Sequence, residues 1–327
     1  AFHLRHNNNI MKNIYSNILK FNNNTLSKTL KYLEKNKIVG LPTETVYGLA
    51  GNAYSNISIK KIFLIKKRPK KNPLIIHYYD FNRALRDIEI SNNFLKLYKK
   101  LCPGPITFVL NKKKSSMISS LATAKLNTVA VRFPSNKKTR AILKKLDFPL
   151  AMPSANKSSG VSPVSAKDVA EEFKKNIEII IDGGNTKFGL ESTVLDLTKK
   201  TSILRPGIIG SKKISKILKK KITFNKSQKK IKSPGALKKH YSPNIPIKLN
   251  QINAKKDDAF IVFGKKYKST KNTFNLSRKS NLNEAAKNLY KIFRKIKKLN
   301  YKKISVVRIP YNGVGIAIND RLKHAAN

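Results

Sequence analysis

The chain has 327 residues, with 69 Lys and Arg against 17 Asp and Glu, a formal net charge of +52. Hydrophobic residues make up 40%, enough to build packed cores, so a wholly disordered basic tail is excluded and the length suits two domains of ~100–200 residues each. One cysteine, Cys102, excludes a disulfide framework and a Cys-rich zinc module, and no run approaches the ~18–20 apolar residues of a membrane span.

Residues 1–10 (AFHLRHNNNI) lack periodicity and Met11 fits a native start, so residues 1–20 are expected to form a disordered tail. Leu26–Asn36 places Leu26, Leu30 and Leu33 on one helical face. The buried-type strand Ile38–Leu41 runs into a turn-rich polar segment, PTETVYGLAGNAYS. A helix through Ile59–Lys67 and a strand at Pro73–Tyr78 follow, and Phe94–Leu101 reads as a short helix stopped by Cys102-Pro103-Gly104-Pro105. Strand-like runs recur at Ile106–Leu110, Val129–Phe133, Leu150–Met152, Ile177–Ile181, Thr193–Leu197 and Ser202–Leu204. Helices at Lys138–Leu146 and Ser165–Phe173 interleave with them, a pattern that predicts a mixed, twisted sheet. Regularity ends near Gly210. Ser211–Asn244 is Lys-rich and reads as a linker with one ordered patch. Beyond it, strands Ala259–Phe263 and Ile304–Ile309 flank a helix over Asn283–Leu299, with Ala286, Leu289, Ile292, Phe293, Ile296 and Leu299 on one face, which makes a second, smaller α/β domain.

The charge permits polyanionic partners such as ATP or tRNA without demanding them. Eleven of the 69 basic residues are Arg, and lysines crowd even plain surface helices, so most of them read as a solvated surface. No basic n-region precedes an apolar core, which argues for the cytoplasm over secretion. No phosphate loop, dinucleotide fingerprint, HExxH or nucleophile elbow is present, and five scattered His with one Cys make no metal site.

Polar clusters at strand ends remain. Pro42-Thr43-Glu44-Thr45 is either an ordinary turn or a pocket for a small polar substrate. Lys66, Arg68 and Asn72 sit at a helix-to-strand corner stiffened by Pro69 and Pro73; they complement a helix dipole or clamp a triphosphate. His77 closes an apolar strand and alone reads as a core histidine. Alternation puts Thr128, Ala130 and Arg132 on one side of a strand, and a buried Arg132 requires an anion, either ligand or Asp/Glu. Met152-Pro153-Ser154-Ala155-Asn156 with Ser162, then Glu191-Ser192-Thr193, and Leu204-Arg205-Pro206-Gly207, complete the set.

In order, KIVGLPTETVYGLAGNA, KKRPKKNPLIIH, CPGPITFVL, NTVAVRFP, PSANKSSGVSP, IIDGG, GLESTVLD and LRPG closely resemble the threonylcarbamoyl-AMP synthase family and its YrdC-like catalytic domain, from about Leu30 to Gly210. SPGALKKHYSPN and the tail ending GVGIAINDRLKHAA resemble the family's long form. The resemblance implies an α/β chain: a twisted mixed-sheet YrdC-like domain over 21–210, a linker or lid over 211–244, and a small Rossmann-like α/β domain over 245–327. It implies an enzyme that condenses L-threonine, bicarbonate or CO2, and ATP with Mg2+, into threonylcarbamoyl-AMP and pyrophosphate. A downstream transferase would then modify the adenosine 3′ of the anticodon in ANN-decoding tRNAs.

By motif position the resemblance assigns threonine to Thr45, His77, Arg132, Met152 and Ser192. It assigns the nucleotide to Arg68, Asn72, Thr128, Ser154, Asn156, Ser162, Arg205 and Tyr241, with Lys66 and Arg68 acting on the phosphates. An Arg fork suits threonine's carboxylate, and positioning with charge stabilisation by Lys66, Arg68, Arg205 and a divalent ion requires no protein nucleophile. HYSPN is expected to fold back as a lid, and Met152, where the family commonly has a small residue, is expected to narrow the pocket. Two rivals are weighed. An RNA-binding protein on this fold would not require Thr45, His77, Arg132 and Ser192 together, and a larger carbamoyl-transfer enzyme would carry zinc-finger cysteines.

Overall fold

The computed structural model describes residues 14–225 and 240–327. The first part runs β1 (Ile18–Lys20), α1 (Asn23–Glu34), β2 (Val39–Leu41), β3 (Gly48–Asn52), α2 (Asn56–Lys66), β4 (Ile75–His77), α3 (Phe81–Ala84), α4 (Asn92–Leu101), β5 (Ile106–Asn111) and β6 (Thr128–Arg132). It continues with α5 (Lys137–Lys145), β7 (Leu150–Ala151), α6 (Ala166–Phe173), β8 (Ile179–Asp182), β9 (Thr193–Asp196), β10 (Ser202–Arg205), α7 (Ser211–Leu218) and β11 (Thr223–Phe224). The second part holds β12 (Ile247–Lys248), β13 (Ala259–Val262), β14 (Thr273–Asn275), α8 (Leu282–Lys298), β15 (Ile304–Val306) and α9 (Gly315–Ala326). Short polar side chains start the helices by accepting from their first free amides: Asn22 for α1, Ser55 for α2, Ser165 for α6 and Asn281 for α8.

Eleven strands form one mixed sheet in the order β1-β8-β2-β3-β7-β4-β6-β5-β9-β10-β11, as the interleaved pattern predicts. The second sheet, β12-β15-β13-β14, is parallel throughout, the Rossmann-like arrangement expected for the smaller domain. Strand alternation sorts the large sheet's residues between two faces. Ile76, Phe108 and Val131 enter the main core, while Ile75, Val109, Ala130 and Val194 make a small apolar patch opposite it. His77 and Arg132 share that second face. The second core joins the two parts, since Val46, Val161, Val164 and Leu190 cluster with Ile261, Leu289, Phe293 and Ile318. Among the described residues no helix is long and apolar enough to cross a membrane.

The sequence expectations need several corrections. Ile18–Lys20, placed in the disordered tail, pair in parallel with β8 as an edge strand. The segment read as a turn after Leu41 contains β3, a central strand. Its residues, GLAGN, have poor strand propensity, and packing decides: a Cβ at Gly51 would lie 2.7 Å from Ile38 Cδ1. In the expected linker, α7 and β11 are ordered, and β11 extends the large sheet beside β10. β12, β14 and α9 were not anticipated. On α8, Tyr290 and Ala285 join the buried face, whereas Leu299 is 53% exposed at the C-cap. Residues 1–13 and most of SPGALKKHYSPN, through residue 239, lie outside the described residues.

Candidate active site

Ile75 of the small apolar patch lines a cleft with about 500 Å³ of space between its walls, part of it open to solvent. One end is built by parallel neighbours, for β4 and β6 set His77 directly beside Arg132. Arg132 is 4% exposed, and its Nη2 donates to Glu44 Oε1 at 2.6 Å and Thr45 Oγ1 at 2.8 Å. The other Glu44 oxygen accepts from the Ser135 amide at 3.0 Å. The anion required by Arg132 is therefore an acid of the chain itself. Arg132 Nε nevertheless stays buried without a partner among the described residues, leaving donor capacity toward a ligand. Burial, with the Arg132 charge beside it, holds the His77 imidazole well below its usual range, so the ring is neutral. Met152 follows β7 and packs on Gly48, where a Cβ would lie 2.3 Å from Met152 Cγ; this contact narrows the same end.

The other end gathers cations. Arg68 turns back on its own corner, Nε to the Asn72 carbonyl at 3.0 Å and Nη2 to the Pro73 carbonyl at 2.9 Å. Burial, with Arg205 nearby, pushes its guanidinium down to about 9. Arg205 reaches the cleft through a bulge. The β10–β9 register shifts between Ile203 and Arg205, so Ile203 faces Leu195 of the main core while Arg205 lies against Val194 on the cleft face. Its Nε and Nη2 donate to the Ser192 carbonyl at 3.2 and 3.0 Å. Glu191 lines the cleft too, with its oxygens taken by Ser162 Oγ at 2.5 Å, Tyr290 OH at 2.9 Å and Arg321 Nε at 2.8 Å. Burial raises its affinity for a proton, but Arg321 and Arg205 outweigh this and hold the carboxyl at about 2.

His240 and Tyr241 close this end. The His240 amide donates to the His324 carbonyl at 3.1 Å and the Ser242 amide to the Ser159 carbonyl at 2.8 Å. Tyr241 adopts a left-handed backbone, φ +61°, and its buried hydroxyl has no partner among the described residues. The fold-back anticipated for HYSPN is thus present at His240 to Asn244.

Of the residues singled out from sequence, Arg68, His77, Arg132, Met152, Ser154, Arg205 and Tyr241 line the cleft. Thr45, Asn72, Ser162, Ser192 and Asn156 stand behind it. Thr45 supports Arg132, Asn72 supports Arg68, Ser162 supports Glu191, Ser192 supports Arg205, and the Asn156 amide donates to the Ser154 carbonyl at 3.0 Å. Lys66 is also behind: its ammonium, 1% exposed, bonds the carbonyls of Ser154 and Asn156 and holds that loop. Thr128 starts β6, at the far end from Arg132. Lys67, Lys70 and Lys71 face a separate, open hollow, with Arg68 between the two. Glu44 and Glu191 lay inside quoted motifs but were not assigned. Arg321 carried no local signal, since its partner Glu191 is 130 residues away.

Among the described residues no group of three or more His, Cys, Asp or Glu could hold a metal ion, and the carboxylates of Glu44 and Glu191 already have hydrogen-bond partners.

A family model described as "Telomere recombination" (Sua5_yciO_yrdC) matches residues 31–207; a second model, "Threonylcarbamoyl-AMP synthase, C-terminal domain", matches residues 209–327. The threonylcarbamoyl-AMP synthase of Pyrococcus abyssi is 35% identical over 316 residues, 90% of this chain and 92% of the relative. That of Bacillus subtilis is 32% identical over 335 residues, 94% of each. A crystal structure of P. abyssi Sua5 complexed with L-threonine matches with a TM-score of 0.87 and 32% identity, covering 94% of this chain and 97% of that one. E. coli YciO, at 21% identity, 60% of this chain, 99% of its own length and a TM-score of 0.54, shares the fold. The chain belongs to the threonylcarbamoyl-AMP synthase family.

Proposed function

We propose that the chain condenses L-threonine, CO2 drawn from bicarbonate, and ATP into threonylcarbamoyl-AMP and pyrophosphate. One observation carries this reading: a single cleft is lined by the buried guanidiniums of Arg132, suited to a carboxylate, and of Arg68 and Arg205, suited to phosphates, with Met152 and Ser154 also in its lining. The threonine amine attacks CO2 and loses a proton to give a carbamate. A carbamate oxygen then attacks the α-phosphorus, and the bond to the bridging oxygen breaks as pyrophosphate leaves. No protein nucleophile is required, so the chain's residues act by holding the reactants in line and offsetting charge.

Arg132 takes threonine's carboxylate while Glu44 fixes its guanidinium, and neutral His77 adds no competing charge. Thr45 and Met152 shape this end, and Ser192 is a threonine contact on the strength of the motif alone. Arg68 and Arg205 face the phosphates, Tyr241 and Ser154 the nucleotide, and Lys66, Asn72, Asn156 and Ser162 hold those groups in place; Thr128 is a nucleotide contact on the strength of the motif alone. Mg2+ enters with ATP, held by phosphates and water. The product supplies a transferase that modifies the adenosine 3′ of the anticodon in ANN-decoding tRNAs, in the cytoplasm where those tRNAs are.

The test is pyrophosphate release from ATP, in bicarbonate with Mg2+, for wild type and Arg68→Ala. Release that requires threonine and bicarbonate and collapses in the variant supports the reading. A folded, ATP-binding protein with no threonine-dependent release overturns it in favour of an RNA-binding protein on the same fold.

A further inference from the structure

Arg321, on α9 of the second domain, is the largest fully buried side chain described. Its guanidinium makes two contacts with the nucleotide end of the cleft. Nε donates to Glu191 Oε2 at 2.8 Å, and the guanidinium carbon lies 4.8 Å from the centre of the Tyr241 ring. Nη1 is anchored by Asp320 Oδ2 at 2.6 Å and the Pro206 carbonyl at 3.0 Å. Helix α8 adds Tyr290 OH on Glu191, and α9 adds the His324 carbonyl on the His240 amide. Glu191 lies among the phosphate-end arginines and, bare, would repel a triphosphate. Tyr241 has a left-handed backbone, which a non-glycine residue keeps only where its surroundings impose it.

We infer that Arg321 is a positioning residue through which the second domain completes the nucleotide end: one side chain neutralises Glu191 from behind and seats the ring of Tyr241. This rests on reading that end as the ATP site. A cation stacked on a desolvated tyrosine is worth about tenfold or more in an equilibrium, so losing it weakens lid closure by at least that factor. The second domain then acts on ATP without touching it.

The test uses full-length Arg321→Met, Glu191→Gln and the double variant. Arg321→Met strands Glu191 in the interior and is the one at risk of not folding; the double variant removes both charges together and keeps the question answerable. Two readouts are taken: the KM for ATP against kcat and the KM for threonine, and hydrogen exchange at the His240 and Ser242 amides. Both variants lacking Arg321 are expected to raise the KM for ATP about tenfold, with the KM for threonine within twofold, and to lose amide protection at least tenfold. Glu191→Gln keeps that protection because the stack survives. If the double variant recovers wild-type KM and protection, Arg321 only neutralises Glu191 and the inference falls. Wild type without threonine-dependent pyrophosphate release would defeat the synthase reading, while amide exchange would still decide the seat of Tyr241.

Discussion

Replacing Arg132 by lysine separates the two tasks of that side chain. Arg132 spends Nη2 on Glu44 and Thr45 and keeps Nε unpartnered in the buried cleft wall. A lysine ammonium carries the same charge on one atom and lacks the planar fork. It can neutralise Glu44, so the fold is expected to survive, but it cannot also present a fixed donor to threonine's carboxylate. A charge-assisted hydrogen bond is worth about 1.5–3 kcal/mol, which at ~1.4 kcal/mol per factor of ten gives roughly a 10–150-fold rise in the KM for threonine. Arg132→Ala is less informative. It leaves the 5% exposed Glu44 with little beyond the Ser135 amide, and breaking a buried pair costs about 3–5 kcal/mol of stability. The assay is pyrophosphate release at saturating ATP and bicarbonate with threonine varied, alongside a thermal melt. A threonine KM within threefold of wild type at unchanged melting temperature would refute the carboxylate role, as would an equal rise in the KM for ATP.

Acid should loosen the lid. Burial, opposed by Glu191 and aided by Arg68, Arg205 and Lys66, pushes His240 down to about 3 from the usual 6.5. The open or unfolded segment therefore binds a proton that the closed one refuses, so closure is fully stable above about pH 6.5 and weakens as pH falls toward 3. ATP binding is expected to be about tenfold weaker at pH 5.5 than at 7.5, as read by calorimetry, and His240→Asn should flatten the profile; equal acid weakening in that variant would rule His240 out. Gly207→Ala should injure the site without touching ligand. Its Cβ would fall 2.3 Å from the Thr193 nitrogen and 2.6 Å from the Ser192 carbonyl carbon, so backbone must shift where Ser192 holds Arg205. A loss of about 1–3 kcal/mol in stability and a fall in kcat are expected from melting and turnover.

What the sequence revealed followed the range of the interaction. Alternation over a few residues placed Thr128, Ala130 and Arg132 on one side, and the strand ends carrying His77 and Arg132 are where the structure has them. Arg205 defeats the same reasoning. Simple alternation would send it to the face of Ile203, and only the bulge, a property of the pairing with β9, returns it to the cleft. The identity of Arg132's anion was open because Glu44 is 88 residues away. The family resemblance assigns Lys66 to the phosphates by its motif position, and the fold turns its ammonium under the Ser154–Asn156 loop. β3 was hidden because strand propensity belongs to side chains and GLAGN has few; its place between β2 and β7 comes from what packs on it.

The charge of the chain and the charge of the cleft are separate matters. Among the described residues Lys66 is the single buried lysine, and it serves a loop, whereas the buried arginines are Arg68, Arg132, Arg205 and Arg321. Arg132 is paired with Glu44, and Arg321 with Glu191. The pairing decides what each end of the cleft can bind. In the proposed assignment Arg132, with Glu44 beside it, would meet threonine's single carboxylate. At the proposed nucleotide end Glu191 is paired from behind by Arg321, so its carboxylate would not face the phosphates bare. Surface lysines can steer anions toward the mouth and lose that effect as salt screens them. They cannot supply this asymmetry, which depends on burial and fixed geometry and so tolerates salt. On the proposed assignment, discrimination between the two substrates would belong to six buried charges, of which only Arg321 comes from the second domain.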